Sequence, residues 1–253
     1  MKTRASSTSL KPKRVGIVLY PDVELLDVTG PLSILHGANR RLGRVAYDFH
    51  YLAAAPGLVP SSCGLALQAT QGLLRSRASF HTLLVPGGEG TRAQYVNAPF
   101  IAALRRLALR AHRVVSVCTG SFLLAQAQLL QGKPCTSHWA YCEDLRKLHP
   151  ECEVKPDPIF VHTGKIWTSA GVTAGLDLAL ALLEADHGKQ LAIEVARWMV
   201  LYLRRPGGQN QYSLPLQADA AVDDPFSHVL GEVREHPGRA WPVATLAKRL
   251  HLS

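Results

Sequence analysis

The stretch Val114-Val115-Ser116-Val117-Cys118-Thr119-Gly120-Ser121 decides the reading of this chain. Arg113–Val117 is a short apolar, β-branched run, the pattern of a strand buried on both faces. Thr119–Leu130 continues with helical spacing, so Cys118 falls at a strand-to-helix junction. Such a sharp turn lifts a side chain above the sheet, as a nucleophile elbow does for the serine of a hydrolase. The start of the helix offers unpaired N–H groups and a positive dipole end, which predict a lowered thiol pKa. Between Asp48 and Glu143 the one acidic residue is Glu89, against eight Lys and Arg, so the local sequence is positive. The competing reading of Cys118 is a buried, inert thiol that packs as a small hydrophobe.

Working outward, strand-like and helix-like segments alternate. Arg14–Tyr20, Tyr47–Ala54 and His81–Val85 read as strands, the last stopped by Pro86-Gly87-Gly88. Leu25–Ala38 and Ala98–His112 read as helices, and in the second Ile101, Leu104, Leu107 and Ala108 oppose Arg105, Arg106 and Arg110. Ile159–His162 and Lys165–Ser169 read as a hairpin about Thr163-Gly164, and one long helix is expected from about Val172 to Arg204. This alternation predicts an α/β fold, a mostly parallel sheet covered by helices on both faces. In such sheets ligands sit at the carboxyl ends of the strands.

The flanks differ in character. Residues 1–13 are basic and polar without an apolar core, so they read as a disordered tail and not a signal peptide. The expected sensor domain covers 14–204, and 205–223 reads as a linker rich in Gly, Pro and Gln. In 224–253, Asp224-Pro225 resembles a helix start, Phe226, Val229, Leu230 and Val233 form an apolar stripe, and Val243–Leu250 reads as a further helix.

The whole chain has 253 residues, 28 Lys and Arg against 19 Asp and Glu, a formal charge of +9, and is 47% hydrophobic with 19% charged. That composition excludes a disordered chain. No apolar run approaches the ~18 residues of a membrane span. Five cysteines without an export signal point to reduced thiols in the cytoplasm. Cys135-x-x-His138 with Cys142, His149 and Cys152 invites a zinc reading, but the spacings lack the paired knuckles of a metal site. No metal and no cofactor are expected.

The motifs together resemble the PfpI/ThiJ superfamily of class I glutamine-amidotransferase-like, flavodoxin-like folds. More narrowly, the chain resembles the GlxA-type AraC-family transcriptional regulators, which join such a domain to a C-terminal helix-turn-helix. The matching stretches are VGIVLYPDVELLDVTGP (Val15–Pro31), LVPGGEG (Leu84–Gly90), VSVCTGSFLL (Val115–Leu124), TSHW (Thr136–Trp139), WTSAGVTAGLD (Trp167–Asp177) and RRPGGQ (Arg204–Gln209). The resemblance implies that Asp27 lies beside Cys118 and handles a proton, as in the related isocyanide hydratases, with Glu24 the alternative acid. It implies that Gly87 and Gly88 present backbone N–H groups to the site, and that His138 stands near the pocket. Peptidase-like members carry His directly after the nucleophile; Thr119 stands there instead, which removes the obvious base of a protease and leaves a hydroxyl for a polar ligand.

Two functions follow from the resemblance. The first is a regulator that senses a small-molecule effector, expected as a homodimer with no membrane partner. Its DNA reader would be cut short within 224–253, so that Lys248 and Arg249 touch phosphate at most and the chain as given does not read sequence. The alternative is a Cys-dependent enzyme of the isocyanide hydratase or amidohydrolase type that uses Cys118 and Asp27.

Overall fold

A computed structural model describes residues 11–201, 229, 231–233, 235–236 and 238–250. The chain divides into two compact units, Met1–Gln211 and Tyr212–Ser253. The linker expected at 205–223 and most of the tail expected at 1–13 lie outside the described residues, as do Asp224, Pro225 and, of the expected stripe, Phe226 and Leu230.

The first unit is built from β1 (Lys13–Val18), α1 (Leu25–Leu42), β2 (Tyr47–Ala53), β3 (Gly57–Pro60), β4 (Ala66–Ala69), β5 (Gln71–Gly72), β6 (Thr82–Val85), α2 (Thr91–Tyr95), α3 (Ala98–Arg110), β7 (Arg113–Val117), α4 (Gly120–Gln126), β8 (Pro134–Cys135), α5 (Cys142–Leu148), β9 (Glu153–Val154), β10 (Phe160–Thr163), β11 (Ile166–Ser169), α6 (Ala174–His187) and α7 (Lys189–Trp198). Seven strands form one sheet in the order β10-β11-β7-β6-β1-β2-β5. All neighbours are parallel except β10 and β11, which form the expected hairpin at one edge. The α/β reading of the sequence therefore holds.

Burial explains the strand sequences. Every residue of β6 and β7 is buried, as the β-branched runs require when helices cover both faces. In α3 the buried residues Phe100, Ala103, Leu104, Leu107 and Ala108 recur at helical spacing, and Asn97 caps the start by accepting from Phe100 N.

Three expectations change. The single helix from Val172 to Arg204 is two helices, α6 and α7, broken at Gly188, where φ is +88°. Apolar periodicity runs through that point, but a left-handed backbone does not continue a helix. The helix after Cys118 ends at Gln126, short of Leu130, and Gln128 takes a positive φ. The antiparallel hairpin β3–β4 stands where no strand was read, and Asp22 N donates to Pro60 O at its base.

At the amino ends of the strands, Asp186 accepts from Arg113 Nη2 at 2.8 Å and Tyr47 Oη at 2.7 Å, with both ion-pair partners nearly buried. Removing one partner leaves the other charge buried and unpaired. Asp186→Ala is therefore expected to cost about 3–5 kcal/mol in urea unfolding, the range for a broken buried pair. A loss under 1 kcal/mol would show that the pair carries no weight.

In the second unit the helix Val243–Arg249 is described. Lys248 is exposed there, while Arg249 pairs with Glu232. Among the described residues no helix is long and apolar enough to cross a membrane.

Candidate functional site

Four adjacent strands end on one patch. β1 delivers Tyr20–Glu24, β6 delivers Pro86–Gly88, β7 delivers Cys118 and Thr119, and β11 delivers Ala170–Val172. Carboxyl ends of parallel strands are the usual ligand edge of such sheets.

Cys118 sits at φ +56°, a conformation that L residues rarely adopt. Its surroundings over-determine that strain. Its N–H donates to Ser169 O at 3.0 Å, and its carbonyl accepts from Ser121 Oγ and Ser137 Oγ, each at 3.1 Å. Two further non-glycine residues at the site, Asp22 and Val172, also have positive φ, at 59° and 57°. Close approach excludes side chains nearby. A Cβ on Gly171 would lie 2.7 Å from Cys118 Sγ and 2.9 Å from His138 Cδ2, and one on Gly87 would lie 2.6 Å from Thr119 N. Gly171 thus marks where Cys118 and His138 come together.

Asp27, in the first turn of α1, is fully buried. Its carboxylate accepts from Val172 N at 2.8 Å and from Gly87 N at 3.0 Å. Burial outweighs these two bonds and pushes its pKa up to about 6. The thiol of Cys118 interacts with this carboxylate. Burial, and then the negative charge of Asp27, push the Cys118 thiol well above the ordinary thiol range. This corrects the lowered pKa expected from the helix start. Thr119 N–H and hydroxyl act in the expected direction, but a seven-residue helix and two donors do not offset desolvation.

The glycine amides are placed differently from the cradle expected of them. Gly87 N–H goes to Asp27, and Gly88 N–H goes to Thr119 Oγ1 at 3.0 Å. Both support side chains of the site instead of facing a ligand directly. His138 is half-buried, desolvation lowers its pKa, and its Nδ1 accepts from Ala140 N at 3.3 Å. The neutral ring therefore carries its proton on Nε2.

Above these groups opens a cavity of about 1080 Å³, whose lining includes Cys118, Thr119, His138, Gly88, Phe122 and Tyr141. Asp22, Glu24, Glu89 and Asp144 line it together with Arg92 and Lys147. Folding thus replaces the positive neighbourhood read from the linear sequence with walls of mixed charge.

The model of the DJ-1/PfpI family matches residues 13–185, which hold this entire constellation. The chain belongs to the DJ-1/PfpI family. It is similar to the isonitrile hydratase of Pseudomonas putida, 37% identical over 179 residues that span 71% of this chain and 74% of that protein. It is also similar to the HTH-type transcriptional regulator CdhR of Pseudomonas aeruginosa, 29% identical over 236 residues, 93% of this chain and 69% of the regulator. A ThiJ/PfpI family protein from Pseudomonas syringae shares the fold, with a TM-score of 0.71 and 24% identity over 93% of each chain.

Within this DJ-1/PfpI domain, Cys118, Asp27, Thr119, Gly87, Gly88 and His138 lie at one strand edge. Glu24, the alternative acid, caps α1 by accepting from Leu26 N at 3.2 Å and also accepts from Ser62 Oγ. Two contributors were not read from the sequence. Gly171 is one, although its place after a strand was a usable signal. The other is the hydroxyl chain of Tyr20 and Thr91 behind Thr119, which only the tertiary fold assembles. Among the described residues no group of three or more His, Cys, Asp and Glu is disposed to hold a metal ion. Cys63 stands apart at the tip of the β3–β4 hairpin, exposed, with Ser61 Oγ 3.4 Å from its sulfur.

The raised pKa of Asp27 has a definite sign. Between the unfolded value of about 3.9 and the folded value of about 6, the unfolded chain gives up the proton first. The stability contributed below that window is lost as pH rises through it. Asp27→Asn removes the effect, so its stability relative to the unsubstituted chain should improve by roughly 2 kcal/mol from pH 4 to pH 7, taking 1.36 kcal/mol per unit. Chemical denaturation of both proteins across that range measures it, and a constant gap would contradict the assignment.

Proposed function

We infer that this chain is the effector-sensing part of a transcriptional regulator, in which a small polar molecule binds the cavity over Cys118. The observation that carries the reading is a roomy cavity floored by a neutral thiol. Its volume suits a small ligand, while a thiol held in its protonated form is a poor nucleophile. The similarity to CdhR along nearly the whole chain supports the same reading. Walls carrying both Arg92 and Lys147 and several carboxylates favour a polar, nitrogen-containing ligand. To regulate, the ligand must bind one state of the protein better than another. In this reading the protein acts in the cytoplasm as a homodimer, and DNA contact belongs to the C-terminal unit, where exposed Lys248 is the better placed of its two basic candidates. Arg249 is already paired with Glu232.

A second reading is favoured by one specific feature, the Cys118–Asp27 pair, and by the similarity to isonitrile hydratase. In that chemistry the Asp27 carboxylate takes the thiol proton as the Cys118 sulfur adds to the terminal carbon of an isocyanide, and hands that same proton to the carbon, which gives a thioimidate. Water then attacks the thioimidate carbon and the C–S bond breaks, which returns the thiol and releases a formamide. An acid poised near pH 6 suits the proton step.

Thermal unfolding of the full chain against a panel of small nitrogenous metabolites separates the readings. A sensor ligand present at 100 times its Kd should stabilise the protein by about 2.7 kcal/mol. That gain should shrink in Cys118→Ala and in His138→Ala. A gain that both variants keep unchanged would remove the pocket from the reading. Formamide production from an isocyanide by the unsubstituted chain but not by Cys118→Ala would instead establish the enzyme.

A further inference from the structure

Several of the positive residues between Asp48 and Glu143 gather away from the cavity. The loop from β5 to β6 carries Arg75 and Arg77, and α3 carries Arg106 and Arg110. Arg106 joins the loop to the helix: its Nη2 donates to Leu74 O at 2.7 Å and its Nε to Ser76 O at 3.2 Å. Further along the loop, Ser79 Oγ donates to Arg110 O at 3.0 Å, and Arg14 Nη1 from β1 donates to Ser79 O at 3.2 Å. Arg14 also lies over the Phe80 ring, 5.2 Å from its centroid. These bonds bring Arg14, Arg75, Arg77, Arg106 and Arg110 to one face. Arg106 is half-buried and the others are exposed. None of them lines the cavity.

The charge of this face is not compensated locally. Neither the loop 73–79 nor α3 contains an Asp or Glu. Among the described residues Arg75, Arg77 and Arg110 have no ion-pair partner, and the bonds of Arg106 end on neutral carbonyls. Asp48, opposite Arg14 in the β1–β2 register, contacts His50 at 2.8 Å. The carboxyl end of a helix is its negative pole. In α3 that end is covered by Lys165, whose Nζ donates to Ala108 O at 2.9 Å and to Leu109 O and Ala111 O, each at 3.2 Å. Such a face repels a second copy of itself. The apolar stripe of α3 is spent on the core, which leaves no amphipathic face for a lipid surface. A guanidinium fork fits phosphate oxygens, and duplex DNA offers them in closely spaced rows. We propose that this arginine face of the first unit contacts the phosphate backbone of double-stranded DNA, without reading its sequence. The contact goes beyond the sensor reading, needs no effector, and is separate from the basic candidates of the second unit.

The test is the binding of the full chain to a fluorescent duplex of about 30 base pairs, followed by anisotropy between about 50 and 200 mM salt. Arg75→Gln, Arg77→Gln and Arg110→Gln are made together, since these side chains bond to no other described residue and the fold should survive their loss. Thermal unfolding checks that. Each lost phosphate contact should flatten the plot of log affinity against log salt by about 0.9, so the triple variant should be shallower by about 2.7. Lysine at all three positions should restore most of the slope. Two controls guard the assignment. Removing three charges from the tail, at Lys2, Arg4 and Lys11, should flatten the slope much less. Lys248→Gln with Arg249→Gln should leave the difference between the chain and the triple variant in place. An unmoved slope in the triple variant would overturn the proposal. So would equal flattening by the tail variant, which signals net charge alone. Exposed Leu74 and Leu109 give a last check: binding that needs them would mark an apolar partner surface and overturn the DNA assignment. Loss of every metabolite response would sink the sensor reading and leave this result standing.

Discussion

The backbone of Cys118 is the constraint on which the rest of the site depends. A positive φ at a non-glycine residue costs about 1–3 kcal/mol and persists only when its neighbours enforce it. Here the neighbours are Ser169, Ser121 and Ser137, which take up the N–H and the carbonyl. These same bonds tie three separate segments together. Ser169 ends β11 and leads to Gly171 and Val172, whose N–H holds Asp27. Ser137 precedes His138, which lines the cavity. Fixing the elbow therefore fixes the acid, the histidine and the mouth of the pocket together.

Electrostatics follow from that geometry. An elbow that places sulfur next to a helix start suggests an activated thiolate, yet the site is closed enough for desolvation to win. The Asp27 carboxylate adds to the effect, because a second negative charge in the same dry space is costly. Both groups therefore favour their protonated forms relative to the same groups in water. A polar cavity lined by neutral Cys118, neutral His138 and peripheral charges is suited to holding a molecule by hydrogen bonds.

Much of the fold was legible because its signals are local. β7 was read at its observed bounds since an unbroken β-branched run has few alternatives. The break at Gly188 was hidden, because one glycine inside an apolar periodic stretch is equally compatible with a continuous helix. The hairpin β3–β4 was hidden too, since half of its residues face solvent and its pattern is weak. At the site, Cys118 was visible from its junction, while the role of Asp27 came through the family motif. The direction of the thiol shift was missed because a dipole can be read from sequence and burial cannot. The mixed charge of the cavity was hidden for the same reason, as Asp22 and Asp144 are distant in sequence from Cys118 and join it only on folding.

The central claim is that Cys118 is a restrained, neutral thiol within a binding pocket. A direct test compares it with Cys63, which is exposed and whose pKa is lowered by the Ser61 hydroxyl and the Leu65 backbone. With a limiting amount of iodoacetamide at pH 7.5, peptide mass spectrometry should find Cys63 alkylated well before Cys118. Labelling of Cys118 ahead of Cys63 would show a thiolate at neutral pH and contradict the account.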